Sequence, residues 1–301
     1  MSPAHSNASW ATREHLMTKI TAFIDASSYA HSVCDHAAWV AARMTASVEI
    51  LHAIGRRDAS GDAGDFSGAL GADARDTLLA ELSALDQQSA KLAQKRGRLI
   101  LERAEARLKE AGITEVTTKL RIGDLVETVQ EFESDADLIV IGKRGEAAAF
   151  AQQHLGSNLE RVVRASQKPV LVASRAFRPI QRILIAFDGG PSVTRAVDFL
   201  ARSYASFAGL DLRLIKVGQC TDDAERRLQH ATDLLRAAGY TVQSSIVPGQ
   251  PEVEIARTVA ADTIDLLVMG AYGHSRIRSL IIGSTTTEMI RSCKIPVVLF
   301  R

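Results

Sequence analysis

The sequence has few of the features that mark secreted, membrane or nucleic-acid-binding proteins. Only three of its 301 residues are cysteines, Cys34, Cys220 and Cys293, and none lies in a Cys-x-x-Cys pair or another metal-ligand spacing. The 36 Lys and Arg residues nearly balance the 35 Asp and Glu residues, so the net charge is +1 and no basic surface for nucleic acid is indicated. We therefore expect reduced, mostly buried thiols in a cytoplasmic protein that binds no nucleic acid.

Long apolar runs and several enzyme motifs are also missing. No run approaches the roughly 18 apolar residues that a membrane-spanning helix needs. Residues 1–14 lack the apolar stretch of a signal peptide, so we expect neither a membrane interaction nor secretion. The chain contains no Walker A motif, no Rossmann fingerprint after its first strand-like segment and no nucleophile elbow. These absences disfavour the common nucleotide-hydrolysing and dinucleotide-dependent enzymes.

A glycine-rich segment between a strand-like and a helix-like segment is the most informative feature present. Its pattern is Gly-x2-Gly-x9-Gly-Ser, formed by Gly270, Gly273, Gly283 and Ser284, with Thr285 next. Closely spaced glycines let backbone N–H groups surround an anion, and a glycine at a helix start lets the free N–H groups of that helix point at phosphate. The pattern therefore predicts a phosphate-binding loop.

The same pattern occurs earlier in the chain with one extra loop residue. Its members are Gly142, Gly145, Gly156 and Ser157. Ten residues separate the second and third glycines here, against nine in the later copy. Repetition on this scale indicates two copies of a whole domain rather than a short structural repeat.

Other landmarks repeat and set the domain limits. Asp25 ends one strand-like segment and Asp188 ends a matching one, at an offset of 163 (188 − 25), whereas the first glycines are offset by 128 (270 − 142). We predict domains at residues 1–176 and 177–301, with about 35 extra residues in the first. Residues 56–70 of that surplus are rich in Gly, Ala, Asp and Ser, and a long helical pattern follows them. We interpret the surplus as a mobile surface loop, a lid or an interaction arm.

Apolar strand-like segments alternate with helical patterns in both halves. This alternation predicts α/β domains, each with a five-stranded parallel sheet covered by helices on both faces. Ligands of doubly wound sheets bind at the carboxyl ends of the strands, where the strand order reverses. Asp188 ends the first strand of its half and Gly270 ends the fourth, so both should face one crevice.

The glycine motif, in its strand–loop–helix setting, resembles the nucleotide-binding loop of the universal stress protein family, and the likeness covers nearly the whole chain from about residue 18. The resemblance implies the flavodoxin-like strand order 3-2-1-4-5 in each half. It also implies an adenine nucleotide, ATP with or without Mg2+, as the ligand. The implied contact residues are Asp188, Val217, Met269, Gly270, Gly273, Gly283, Ser284 and Thr285 in the second half, and Asp25, Ala53, Gly142, Gly145, Gly156 and Ser157 in the first. No catalytic or metal-binding residue is implied.

Assembly also follows from the resemblance. Family members with one domain pair the edges of their fifth strands between subunits. The segments at 169–173 and 296–300 should therefore pair within this chain, which would give an intramolecular pseudo-dimer. A further homodimer of whole chains and an unknown protein partner remain open.

The second half matches the motif better than the first does. In the first half the turn after Asp25 lacks the Gly-Gly pair that follows Asp188, and the longer loop carries Glu146, which would repel phosphate. Lys143 and Arg144 would partly offset that charge. We therefore expect one tight site, in the second half, and leave open whether the first half binds nucleotide.

Three residues also have a purely structural interpretation. His52 is expected to be a packed residue near a strand end rather than a catalytic base. Thr285 and Glu288 fit a capping box, so that part of the loop could serve mainly to start a helix.

The leading functional hypothesis is an ATP-binding stress-response regulatory protein that acts as a switch or scaffold. The alternatives are a slow ATPase or adenylate-transferring enzyme of the same fold, and a scaffold whose sites no longer bind nucleotide. Product analysis after incubation with ATP would separate the first two.

Overall fold

The computed structural model describes residues 18–55, 72–145, 157–271 and 283–301, and the side chains of the long first-half helix from residue 79 onward. Ten strands alternate with helices along these ranges. The strands are β1 Lys19–Phe23, β2 Ser47–Ile54, β3 Val116–Ile122, β4 Leu138–Gly142, β5 Val170–Ala173, β6 Arg182–Ala186, β7 Asp211–Val217, β8 Thr241–Val247, β9 Leu266–Gly270 and β10 Val297–Phe300.

The helices connect consecutive strands, as expected for parallel pairing. They are α1 Ala30–Met44, α2 Ala72–Glu110, α3 Leu125–Phe132, α4 Ser157–Ala165, α5 Pro191–Arg202, α6 Tyr204–Phe207, α7 Asp222–Ala237, α8 Pro251–Ala261 and α9 Ser284–Ser292, with a short 3-10 turn at Glu133–Asp135. Helix α5 begins with a proline at its first position, and a break at Ser203 separates it from the short α6.

The strand order confirms the predicted fold in both halves. The sheet runs β3-β2-β1-β4-β5-β10-β9-β6-β7-β8, so each half has the order 3-2-1-4-5 with parallel neighbours. The two five-stranded sheets are continuous and form one ten-stranded sheet. The reversal of strand order lies between β1 and β4 in the first half and between β6 and β9 in the second.

The fifth strands of the two halves pair with each other, as predicted. β5 and β10 run antiparallel, with Val172 opposite Val297 and Leu171 opposite Val298. All four residues of each strand are buried. An apolar edge strand left open would promote aggregation, and this pairing covers both edges at once.

Aromatic side chains pack the two halves together beside the central pairing. Trp39 of α1 lies 6.0 Å from Phe207 of the second half, between ring centroids, and Phe207 in turn packs beside Phe199. Arg43 also donates a hydrogen bond to the Ser206 carbonyl, at 3.2 Å. The junction is therefore packed as well as hydrogen-bonded. The proposed domain limit at 176/177 falls in the β5–β6 connection and stays a prediction.

Local signals in the sequence explain several helix ends. Asp124 caps α3 by accepting hydrogen bonds from the backbone of Val126 and Glu127. Helix α7 ends before Gly239, which has φ of +112° and donates its N–H to the Arg236 carbonyl. This left-handed conformation is common just past the end of a helix and favours glycine.

The surplus of the first half contains helix α2. Its 39 residues correspond to about 58 Å of helix. Gly97, Leu101, Ala104 and Leu108 form its buried face; Gly97 lies against His52 of β2 and Leu120 of β3. Within the described part of the chain, no helix is both long and apolar enough to cross a membrane.

Candidate functional site

Three strand ends meet at one edge of the sheet in the second half. Ala186 of β6 lies opposite Met269 of β9 on one side and Ile215 of β7 on the other. Counting forward along the parallel strands places Asp188 at the level of Val217, one residue beyond the level of Gly270. The predicted Asp188, Val217 and Gly270 are therefore neighbours at the point where the strand order reverses.

Asp188 is held by the turn that leads into α5. Its Oδ1 accepts a hydrogen bond from the Gly190 N–H at 2.8 Å. Gly189 has φ of +78°, a conformation that favours glycine, and Gly190 is the N-cap of the helix. The turn therefore fixes the carboxylate at the mouth of the crevice. Capping a turn and presenting an acceptor to a ligand are compatible roles for one carboxylate, because it has about four lone-pair sites.

A threonine hydroxyl joins the end of β9 to the start of α9. The Thr286 hydroxyl donates to the Gly270 carbonyl at 3.1 Å, and its side chain is buried. The Gly283 N–H points to the Ala271 carbonyl at 3.4 Å. These contacts position the helix start beside the strand end. Sequence analysis singled out Ser284 and Thr285 but missed Thr286; the only available signal was a run of three threonines.

Helix α9 begins at a residue that has no side chain to cap it. Gly283 is the N-cap and makes no side-chain hydrogen bond to the first turn. Ser284 is exposed and Thr285 is half-buried. The predicted capping box is wrong, because Thr285 lies inside the helix and Glu288 instead pairs with Arg291 at 2.6 Å. A helix start of this kind combines free N–H donors with the positive end of the helix dipole.

Two further predicted residues differ in what they can offer a ligand. Val217 is half-buried at the end of β7, and the next residue, Gly218, donates its N–H to the Val247 carbonyl. Met269 is only 5% exposed and packs in the core on one face of the sheet. Any ligand contact by Met269 would therefore have to use its backbone.

The first half builds the corresponding turn with other residues. Asp25 Oδ1 accepts a hydrogen bond from the Ser27 N–H at 3.0 Å, which matches the contact of Asp188. A Cβ added to Gly145 would lie 3.0 Å from Asp25 Oδ2. The glycine loop of this half therefore lies directly against the carboxylate. A Cβ on Gly142 would lie 2.9 Å from the Tyr29 side chain, so this strand end is also closely packed.

The remaining first-half residues are only partly described. Ala53 is half-buried near the end of β2, and Ser157 begins α4. Gly156, like Gly273 and Glu146, lies outside the described residues. His52 Nδ1 lies 2.8 Å from the Ile24 carbonyl, and its ring is 8% exposed. This contact fits the structural interpretation of His52.

Lys143 joins the two halves of the chain. Its ammonium group donates to the Cys293 carbonyl, at 2.8 Å, in the other half. Burial lowers the pKa of this lysine. Its expected effect on the charge of Glu146 stays a prediction, because Glu146 lies outside the described residues.

The cysteines have no sign of activation. Cys34 and Cys293 are buried and Cys220 is exposed, and all three are free thiols. Burial, assisted by the Asp35 charge, raises the pKa of Cys34 to about 12, and burial likewise raises the pKa of Cys293. Neither buried thiol would ionise near neutral pH.

A cavity lies near the Asp188 turn but outside the proposed site, and the described residues contain no metal-binding cluster. A cavity of about 250 Å3 opens behind the Asp188 turn, between α5 and α7, and Phe187, Gly189, Arg227 and His230 are among its lining residues. Neither Asp188 nor Gly270 lines it. Across residues 18–55, 72–145, 157–271 and 283–301, no group of His, Cys, Asp or Glu could hold a metal ion.

These features define a class of protein: a tandem α/β chain in which an aspartate, a glycine-terminated strand and an uncapped helix start converge at the point where the strand order reverses. The model of the Universal stress protein family matches residues 17–174 and 216–301. The chain is also similar to the universal stress protein Slr1230 of Synechocystis, with 36% identity over 288 residues that cover 95% of this chain and 100% of the relative. The chain belongs to the universal stress protein family.

A solved structure that covers nearly the whole chain agrees with this assignment at the level of the fold. A universal stress protein from Archaeoglobus fulgidus has a TM-score of 0.70 at 19% identity and covers 94% of this chain and 98% of its own. A universal stress protein crystallised in complex with cAMP is 26% identical, with a TM-score of 0.35, and covers 41% of this chain and 98% of its own. That ligand is a property of that protein.

Proposed function

We propose that the chain is an ATP-binding regulatory protein of the stress response, acting as a cytoplasmic switch or scaffold. The single observation that carries the proposal is the convergence of Asp188, Gly270 and the start of α9 at one edge of the sheet. Their contacts are the Gly190–Asp188 hydrogen bond of 2.8 Å and the Thr286–Gly270 hydrogen bond of 3.1 Å.

Each part of this crevice suits one part of an adenine nucleotide. The Asp188 carboxylate accepts hydrogen bonds, as a ribose hydroxyl or an adenine amino group requires. Val217 offers an apolar wall and backbone groups to the base. The first turn of α9, with Ser284 and Thr285, offers N–H and hydroxyl donors to phosphate. Mg2+ would arrive with the phosphates, because the described residues contain no cluster that could bind it.

The test combines ligand identification with a blocked phosphate site. Mass spectrometry of material released from freshly purified protein should find an adenine nucleotide, and calorimetry should show ATP binding. Gly283→Leu should abolish that binding. The fold should be retained, because Gly283 has φ of −56° and ψ of 142°, which other residues also adopt.

A matched control is available at the other end of the same helix. Ser292 is exposed, so Ser292→Leu adds comparable bulk away from the crevice. It should bind ATP as the wild type does. Wild-type affinity in Gly283→Leu would disprove the proposed phosphate site. No ATP binding by the wild-type chain would favour a scaffold without working sites, and release of ADP during incubation would favour a slow ATPase.

A further inference from the structure

Helix α2 carries a row of leucines on its outer surface. Leu85, Leu92 and Leu99 are 59%, 61% and 47% exposed. They are spaced by seven residues, and Leu78 continues the spacing in the sequence. Residues seven apart lie almost two full turns apart on one side of a helix. We call Leu85, Leu92 and Leu99 the leucine seam.

The leucine seam faces away from the rest of its own half. Gly97 marks the face of α2 that packs on β2 and β3. Leu99 lies two residues further on, about 200° around the helix. The sheet beneath α2 therefore cannot cover the leucine seam. Four leucines at strict heptad spacing are typical of helices that pair with another helix.

The charges beside the leucine seam select the partner and its direction. Glu81 lies seven residues before Gln88, and Lys95 lies seven residues after it; all three are exposed. If two copies of α2 run antiparallel about an axis at Gln88, Glu81 of each faces Lys95 of the other. The same alignment places Leu85 within one residue of Leu92 of the second copy. The helix is thus charge-complementary to itself, but only in the antiparallel direction.

A parallel pairing would bring like charges together. Arg96 and Arg103 fill intervening positions of the heptad, so each would face its own copy across the seam. In parallel helix pairs, a side chain that flanks the seam contacts the residue five positions later on the other helix. Glu81 would therefore lie near Asp86 of the second copy. Like-charge contacts at these positions disfavour association.

From this geometry we infer that the leucine seam is a self-association surface: two chains pair antiparallel through their α2 helices. The surface is separate from the nucleotide crevice and does not depend on the proposed ligand. The occupant is a second copy of this chain, and the charge complementarity of Glu81 and Lys95 identifies it.

The first test measures self-association of the full chain by sedimentation equilibrium in low salt. The wild type should form dimers. Leu85→Ser with Leu92→Ser should raise the dimer dissociation constant at least ~100-fold, because four exposed leucines per dimer lose their contacts. Leu79→Ser is the matched control. Leu79 is also exposed on α2, but it lies on the same side of the helix as Gly97, away from the leucine seam. It should leave the dissociation constant unchanged.

The second test reads the direction of pairing. Glu81→Lys alone and Lys95→Glu alone should each weaken the dimer severalfold, since each places two like-charged pairs across the interface. The double variant should restore wild-type affinity, and a mixture of the two single variants should form heterodimers preferentially. In a parallel dimer, Glu81→Lys would instead strengthen association by relieving the contact with Asp86.

Three outcomes would overturn the inference. A wild-type chain that stays monomeric at all concentrations would mean that the leucine seam does not pair with a second copy. A dimer that survives the double leucine change would use another surface. A dimer that Glu81→Lys strengthens would not be antiparallel. Circular dichroism of each variant verifies that the fold is retained, as expected for substitutions of exposed residues.

Discussion

Asp25 and Asp188 make the same backbone contact in the two halves, but their surroundings differ. In the first half, the glycine loop lies against the carboxylate, since a Cβ on Gly145 would be 3.0 Å from Asp25 Oδ2. In the second half, the Gly189–Gly190 turn holds Asp188 through a left-handed glycine. A duplicated fold can therefore keep one carboxylate contact while the residues of the turn that makes it change.

The loop residues beside the first-half site have taken on structural contacts. Tyr29 packs against Gly142, and Lys143 bonds to the Cys293 carbonyl. At the corresponding positions of the second half, counted from the matching aspartates and glycines, the chain has Ser192 and Ala271, which are smaller. This difference supports one working nucleotide site, in the second half, and a first half that contributes to assembly.

The largest expected effect on ligand binding separates the two aspartates. Calorimetry on the intact chain should give about one tight ATP site. Asp188→Ala should weaken binding on the order of 10- to 100-fold, the usual loss for a hydrogen bond to a charged group. Asp25→Ala, the matched change in the other half, should leave that site unchanged. Two equivalent sites per chain, or loss of binding in the Asp25 variant alone, would reverse the assignment.

Two glycines, one in each half, follow the helices α2 and α7. Substituting them compares how tightly the two helix ends are packed. Gly239 follows α7 with φ of +112°, and an added Cβ would lie 2.7 Å from the Tyr204 ring. Gly112 follows α2 with φ of +88°, and nothing lies within 4 Å of an added Cβ. Gly112→Ala should cost about 1 kcal/mol of backbone strain. Gly239→Ala should cost about 2–4 kcal/mol, because the ring must also move.

Chemical denaturation of both glycine variants checks this difference. Equal losses of the free energy of unfolding would show that the Tyr204 ring adapts without cost. A larger loss at Gly112 would mean that the packing of the two helix ends has been misjudged.

The repeat and the strand ends could be predicted from sequence because they depend on local patterns. Alternating apolar segments indicated the strands, and the family resemblance supplied their order. Gly142 and Gly270 marked the ends of β4 and β9, whereas Asp25 and Asp188 lie two residues past the ends of β1 and β6. The contact of Lys143 with the Cys293 carbonyl could not be predicted, since it joins residues 150 positions apart. Nor could the Thr286 bond to Gly270, because a threonine run says nothing about which hydroxyl faces the strand.

The bond from Lys143 tests whether the two halves depend on each other. Lys143→Met keeps the apolar stem of the side chain but removes the donor to the Cys293 carbonyl. Leaving that carbonyl without its partner should cost about 1–3 kcal/mol in the free energy of unfolding. Lys168→Met, a change at a half-buried lysine of the same half, is the control. An unchanged free energy of unfolding in Lys143→Met would show that water replaces the lysine.

The smallest expected effect concerns acid stability and a histidine at the junction of the halves. His36 is fully buried, its Nδ1 lies 2.6 Å from the Ser32 carbonyl, and its ring meets Phe177 edge-on. Within the described part of the chain, its Nε2 has no hydrogen-bond partner. Burial lowers the pKa of His36 below its ordinary value near 6.5. The folded chain therefore holds this ring neutral.

Because the pKa of His36 is lower in the folded than in the unfolded chain, its contribution to stability is complete above about pH 6.5 and is lost as the pH falls towards the folded value. The loss should approach about 1.4 kcal/mol per pH unit within that window. Aligning the two aspartates places His36 at the position of Phe199 (36 + 163). His36→Phe should therefore remove this part of the acid sensitivity, as measured by urea unfolding between pH 7 and 5. An identical pH dependence in the variant would mean that other groups, such as the paired carboxylates, set the acid stability.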